Sequence, residues 1–259
     1  MTLPNITNKQ QEILKYLYHF RFLNRIQIQA LLKHKDYKSI YLWLKDLTEK
    51  EYINRIYSTA FPDNTKPAVY YIGPNGIKFL RVNTDCPKEQ INKLWREKDR
   101  QQTFISDCQF LADIYIDLRN KSTDEIKYSV KTKTTFLDKD SLYNFLAETS
   151  VNLVIEKTKG SMKKYYLLEI LDDNLPGYSV KKRVQNYIDM YYSNSWEENT
   201  SEDFPTIILV SETLPMMMTV KRLTKKLLNE YEGIEIKILF GFKSEMQKYG
   251  IMSVTPEEI

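Results

Sequence analysis

Residues 36–47 read Asp36-Tyr37-Lys38-Ser39-Ile40-Tyr41-Leu42-Trp43-Leu44-Lys45-Asp46-Leu47. A carboxylate at the head of such a run caps a helix, because its oxygens accept the first unpaired backbone N–H groups. Behind Asp36, the residues Ile40, Trp43, Leu44 and Leu47 fall at i, i+3, i+4 and i+7, which is one face of a helix. The opposite face holds Lys38, Tyr41, Leu42 and Lys45. A helix with one apolar and one basic, aromatic face needs a core on one side and leaves the other for water or a partner.

The flanking sequence supplies that core. Thr7 and Gln10 stand at capping-box spacing, and Ile13, Leu14, Leu17 and Tyr18 recur with helical period, so a helix is predicted at about 8–20. Asn24 caps a second, short helix with Ile26, Ala30 and Leu31 inward. Downstream, Tyr52 to Ser58 alternates and is rich in β-formers. Pro62, Asp63, Asn64 and Pro67 mark a turn, and Val69 to Ile72 returns as a second strand. The run Ile72-Gly73-Pro74-Asn75-Gly76-Ile77-Lys78-Phe79-Leu80 then ends a strand and starts a helix. This order of elements over residues 1–85 resembles the winged helix-turn-helix superfamily. The resemblance implies that the 36–47 helix enters the major groove of double-stranded DNA and that the 59–68 hairpin is the wing. Lys38, Ser39, Tyr41, Leu42 and Lys45 would then face the DNA, with Arg55 and Lys66 reaching phosphates from the wing. Winged helices also serve as protein-protein modules, so an adaptor role stands as an alternative.

Charge agrees with a polyanion as partner. The chain has 259 residues and a formal net charge of +4. Residues 1–85 hold 13 Lys and Arg against 7 Asp and Glu, whereas the remainder holds 25 against 27. The basic excess therefore sits in the first third, where it can hold the protein near phosphates. Several classes are excluded. The longest uncharged stretch, Pro67 to Ile77, is 11 residues and contains Gly and Pro, so no transmembrane helix fits and no membrane partner is expected. The N-terminus lacks a signal-peptide pattern. Two cysteines, Cys86 and Cys108, make no disulfide scaffold, and the cytoplasm is the expected compartment. The seven glycines form no G-x-G and no P-loop, and His19 and His34 make no His-rich metal site. No cofactor is expected.

Residues 86–259 read as a second domain. After a linker at 82–89, a long helix is predicted at about 88–120, with Trp95, Phe104, Cys108, Leu111, Ile114 and Leu118 roughly periodic. Strands follow at Ile126–Thr134, Val151–Glu156 and Tyr165–Leu171, the last two joined by a turn at 157–161. Then come a helix at Tyr178–Tyr192, a buried strand at Thr206–Val210, a helix at Leu214–Tyr231 and a strand at Ile234–Phe240. This alternation predicts an α/β domain around a mixed sheet, within an α+β two-domain chain. The long helix carries apolar residues, including Phe110, on more than one face, which makes it the candidate interface of a homodimer. Met216-Met217-Met218 reads as the buried start of a helix.

The strand and helix order of this second domain resembles the restriction-endonuclease-like PD-(D/E)-x-K fold. That resemblance implies an acid on the second core strand, and an acid, a spacer and a Lys on the third, because hard divalent cations take oxygen ligands. Here Asn152 stands in place of the first acid, Glu169 keeps the second, and Leu171 occupies the Lys position. Catalysis and metal binding are therefore not expected, although a Lys supplied by the next helix, where Lys181, Lys182 and Arg183 cluster, would restore an active Mg²⁺-dependent nuclease. The same cluster, with Tyr187 and Tyr191 nearby, has the composition of a second nucleic-acid contact. The run Tyr165-Tyr166-Leu167-Leu168-Glu169, the basic cluster, and Tyr187, Tyr191 and Tyr192, joined to an N-terminal winged helix, resemble the replication-relaxation family of bacterial plasmids and mobile elements. The family resemblance implies a DNA role in replication, relaxation or transcription control, with replication or conjugation proteins as partners.

Overall fold

The computed structural model describes residues 3–84, 87–138 and 140–251. It divides into two compact units, Met1–Ile116 with Leu137–Asp140, and Asp117–Phe136 with Ser141–Ile259. Cys86 and the expected domain boundary at 85/86 lie outside the described residues.

The first unit begins with α1 (Asn8–Phe20), β1 (Leu23–Asn24), α2 (Arg25–Leu31) and α3 (Tyr37–Glu49). It continues with β2 (Ile53–Ile56), β3 (Val69–Ile72) and α4 (Pro74–Asn83). Thr7 and Gln10 form the expected capping box, with Thr7 N–H donating to Gln10 Oε1 at 2.8 Å. Asn24 and Gln27 form a second one. Strand β3 lies between β1 and β2, antiparallel to both, so the two-residue β1 is a third strand that propensity alone does not reveal. The core joins Ile13, Leu14 and Leu17 of α1 to Ile28 of α2 and to Ile40, Leu44 and Leu47 of α3.

Helix α2 turns differently from the expectation. Ile26 is 59% exposed and Ala30 is also exposed, while Gln27, Ile28 and Leu31 face inward. Gln27 decides this rotation: its amide donates to Gln109 O at 2.8 Å and to Asp113 Oδ1 at 2.6 Å. A buried amide that has found both partners outweighs one exposed Ile.

The helix expected over 88–120 is broken into α5 (Lys88–Lys93), a 3₁₀ segment Leu94–Asp99, and α6 (Gln102–Lys121). The tight 3₁₀ turn carries Glu97 fully inside, where it pairs with Arg21. Arg100 is then extended, and the guanidinium groups of Arg21 and Arg100 lie 4.8 and 4.7 Å from the ring centre of Phe104. Burying a carboxylate requires a cation at hand, and that requirement overrides helical continuity. Trp95, on the broken segment, is left 46% exposed.

The second unit follows the expected alternation. It contains β4 (Ile126–Thr132), β5 (Leu153–Lys159), β6 (Met162–Ile170), α7 (Gly177–Tyr192) and α8 (Ser195–Thr200). These are followed by β7 (Thr206–Ser211), α9 (Leu214–Leu228), β8 (Ile238–Phe242) and α10 (Lys243–Tyr249). The sheet order is β4-β5-β6-β7-β8, antiparallel across β4, β5 and β6 and parallel from β6 to β8, hence a mixed α/β sheet. The β5–β6 turn is tighter than expected: Lys159 pairs with Met162, and only Gly160 and Ser161 connect them, Gly160 at φ 59°. The last strand starts four residues later than expected, at Ile238, which pairs with Ile207 near the start of β7. Just before it, Lys237 O still accepts Ile207 N–H at 2.9 Å. Met216 and Met217 are buried as expected, while Met218 is 62% exposed.

One close approach holds the first unit's sheet against α4. Gly73 N–H donates to Tyr52 O at 2.8 Å, and Asn75 N–H to Glu51 O at 3.0 Å. A Cβ on Gly76 would lie 2.3 Å from the Tyr52 carbonyl oxygen, which is backbone and cannot swing away. Gly76→Ala is therefore expected to destabilise the protein by about 1–3 kcal/mol despite the better helix propensity of Ala. Urea unfolding measures this, and an unchanged midpoint would show that α4 moves freely against β2.

Candidate nucleic-acid interface and the buried Glu169 site

The first candidate surface is the outer face of α3. Asp36 accepts Lys38 N–H at 3.0 Å, Ser39 N–H at 3.1 Å and the Ser39 hydroxyl at 2.7 Å. These donors, the Ser39 hydroxyl foremost, hold the Asp36 carboxyl below its ordinary range. The cap therefore stays charged and satisfies the helix start at neutral pH. Ser39 is spent in this cap and half-buried, so it is not presented outward as the winged-helix resemblance implied. Lys38 and Lys45 are exposed, with Tyr41 at 52% and Leu42 at 59%. Lys45 lies 3.7 Å from Glu49. Arg55 on β2 is exposed with its guanidinium 4.6 Å from the Tyr57 ring centre, and Lys66 pairs with Asp63 at 2.8 Å. Ile26 and Tyr37, both exposed by more than half, are surface apolar residues of this unit that periodicity does not place outward.

The second candidate surrounds Glu169. On β6 the side chains alternate, and Leu167, Glu169 and Leu171 point to one side of the sheet while Leu168 and Ile170 point to the other. Leu167 and Leu171 join the core with Val184 and Tyr187 of α7. Glu169 is completely buried among them. Arg183 Nη1 donates to Glu169 Oε1 at 2.7 Å, and the Tyr187 hydroxyl donates to Oε2 at 2.5 Å. Arg183 and Tyr187 are four apart and so share one helix face, which lets a single element serve both carboxylate oxygens. Burial, and then the Glu169 carboxylate, push the Tyr187 phenol well above its ordinary range, so it remains a proton donor.

The other two positions of the PD-(D/E)-x-K pattern are also committed elsewhere. Asn152 Oδ1 accepts Ile170 N–H at 2.7 Å, and Asn152 N–H donates to Leu168 O at 2.8 Å. The side chain thereby closes the β5–β6 ladder just before Leu153. Leu171 is buried in the core. Asp172 is exposed and accepts Asn174 N–H at 2.8 Å. A divalent cation needs free carboxylate oxygens. At this site the acid, Glu169, has both oxygens taken by a guanidinium and a phenol, and the other two positions hold an amide and an alkyl group. These residues do not fit a metal ion. Among the described residues no group of three or more His, Cys, Asp or Glu is placed to hold one.

The basic cluster of α7 is split by this arrangement. Lys181 and Lys182 are exposed, but Arg183 is held by Glu169 and by Ile170 O at 3.4 Å, so it is not free to contact a nucleic acid. Tyr187 is buried, and Tyr191 packs at 5.3 Å against the ring of Phe204. Of the three cations that cluster on α7, the one that reaches the acid is Arg183, and the signal that singles it out is the four-residue spacing to Tyr187.

Removing the acid leaves a guanidinium and a phenol without their acceptor. Glu169→Ala is expected to cost about 3 kcal/mol, at the low end for breaking a buried pair because Arg183 still reaches water. Tyr187→Phe is expected to cost about 1–3 kcal/mol through the acceptor left unpaired. The double variant should cost clearly less than the sum of the two. Chemical denaturation of the three proteins measures this coupling, and strict additivity would mean that the two groups do not act on one another.

No curated protein matches the sequence. Among solved structures, the restriction endonuclease FokI is similar at 12% identity with a TM-score of 0.34, over 95% of this chain and 45% of that one. The chain thus spans less than half the length of that structure, and a score so low supports no structural argument. The family match is of another kind: it covers residues 14–136, from within α1 through β4, and stops short of Glu169 and α7. Over that stretch the sequence matches the model of the replication-relaxation family.

Proposed function

We propose that this protein binds double-stranded DNA through its first unit, as a winged helix in which α3 reads the major groove and the β2–β3 hairpin is the wing. The observation that carries the reading is the outer face of α3, where two lysines flank two exposed residues, Tyr41 and Leu42, on the side away from the core. Lysines suit phosphates and base edges, and exposed apolar groups suit thymine methyls. Arg55 and Lys66 lie on the hairpin, where a wing meets the backbone. The family match supports a setting in replication or relaxation; we extend this to replication or transcription control of a plasmid or mobile element in the cytoplasm. In this reading the second unit is a nuclease-like α/β domain that has exchanged its metal for the Arg183 guanidinium, and pairing into a homodimer would let two α3 helices read a two-fold site.

The full-length protein should retard a duplex of about 30 base pairs at about 50 mM salt, with affinity falling steeply toward about 200 mM. Lys38→Glu and Lys45→Glu should each weaken binding by about 1–3 kcal/mol. Absence of any retardation at about 50 mM salt, on varied duplexes, refutes the reading.

Supercoiled plasmid incubated with the protein and Mg²⁺ or Mn²⁺ should stay intact, because at the Glu169 site no free carboxylate pair is available to hold the ion. Nicking that disappears in Glu169→Ala would reverse this assignment.

A further inference from the structure

The charge of the second unit is unevenly placed. Helix α9 carries Lys221, Arg222, Lys225 and Lys226 and no carboxylate. Helix α7 carries Lys181, Lys182 and Arg183 against one carboxylate, Asp189. Yet residues 86–259 as a whole hold more acids than bases. The cations are therefore gathered onto the two helices that cover one side of the sheet.

The packing puts them on one surface. The inner side of α9 is occupied by Met216, Met217, Val220, Leu223 and Leu227, all buried in the core with Val180, Val184 and Tyr187 of α7. Arg222, Lys225 and Lys226 are exposed on the outer side. Lys221 is half-buried with its ammonium 5.6 Å from the ring centre of Phe240, and so belongs to the edge. The two helices run parallel in a fixed register. A Cβ on Gly177 would lie 3.7 Å from Leu223, and the amide of Gln185 donates to the Tyr231 hydroxyl at 2.8 Å. Both contacts join residues 46 apart in sequence, so Lys181 stands level with Leu227, beside Lys225 and Lys226. Among the described residues, Lys181, Lys182, Arg222, Lys225 and Lys226 form no ion pair with a carboxylate.

We infer that the outer face of α7 and α9 is a second, sequence-independent contact for the phosphate backbone of duplex DNA, centred on Lys181, Arg222, Lys225 and Lys226. The inference rests on the proposed DNA binding of the first unit and adds a surface to it. A ladder of cations about 6 Å apart along α9 meets a charge every 1.7 Å or so along the duplex axis, a density that ordinary acidic protein surfaces do not reach. A lipid surface suits this face less well. Interfacial helices turn a wide apolar face to the membrane, whereas the apolar side of α9 is already consumed by the core, and the large apolar residues of the two helices that remain exposed are Leu214, Met218 and Tyr178 at one end and Tyr192 at the other.

The test compares three full-length proteins on one random-sequence duplex and on one duplex selected for tight binding, across a salt series. Beside the wild type stand R222E/K225E/K226E and K38E/K45E, each checked for an unchanged thermal unfolding midpoint. The α9 variant should bind both duplexes at least tenfold more weakly at about 100 mM salt. Its salt dependence should be shallower by roughly two to three in log–log slope, at about 0.9 for each phosphate no longer neutralised. An α9 variant with wild-type affinity and slope overturns the inference while leaving the α3 reading intact. A K38E/K45E protein that binds both duplexes like wild type, beside a weakened α9 variant, refutes the α3 reading and keeps this one. Phosphatidylserine vesicles form a control arm: if the α9 reversal abolishes vesicle sedimentation but leaves DNA binding unchanged, the face is a lipid contact and the inference fails.

Discussion

A carboxylate with no access to water must be neutralised where it stands, and Glu169 imposes that requirement on the second unit. Its position in the middle strand β6, between β5 and β7, leaves only the covering helix to answer it. Helix α7 answers with Arg183 and Tyr187 from one face, and this fixes how α7 is rotated about its own axis. Once that face is turned inward, Lys181 and Lys182 are turned out. Helix α9 is set by its packing on α7, so its own cations emerge on the same side. The basic outer face is thus a consequence of a buried acid on the strand beneath it.

Under the proposed nuclease-like reading of this unit, the arrangement also explains how metal chemistry can go while stability remains. An acid stripped of its metal would carry an uncompensated buried charge, which costs several kcal/mol. A guanidinium returns the positive charge, and a phenol held protonated by its own burial supplies the second donor. Asn152 does the same for the backbone: where an acid would face a metal, its amide oxygen accepts an N–H that the strand ladder leaves over. Each position of the nuclease pattern has a structural partner in place of a ligand.

In the first unit the equivalent organising features are local. Asp36 spends its carboxylate and the Ser39 hydroxyl on the start of α3, and the close approach of Gly73 and Gly76 to the Glu51–Tyr52 backbone holds α4 beside the hairpin. Such features are short-range and leave traces in sequence. The Thr7 and Asp36 caps, the apolar stripe of α3 and the Gly-Pro entry into α4 are all legible directly. The features that are not legible depend on residues far apart. Gln27 faces inward because Gln109 and Asp113 await it 82 and 86 residues later, and the helix after residue 88 breaks because Glu97 must reach Arg21, 76 residues back.

By itself the sequence determined the order and type of the long elements, since periodicity of 3.6 or 2 along the chain records which side of each element meets a core. It also determined that Asn152 and Leu171 stand where the resemblance to the nuclease pattern implies an acid and a Lys, because a side chain absent from the sequence is absent in any conformation. Tertiary structure alone decided which cation meets Glu169. Lys181, Lys182 and Arg183 are equivalent as charges, and only the turn after Ile170 and the resulting rotation of α7 bring Arg183 to 2.7 Å from the acid. It alone decided, too, that the basic residues of α7 and α9 share a surface, because they are far apart in sequence and become neighbours only when two helices pack side by side on one sheet.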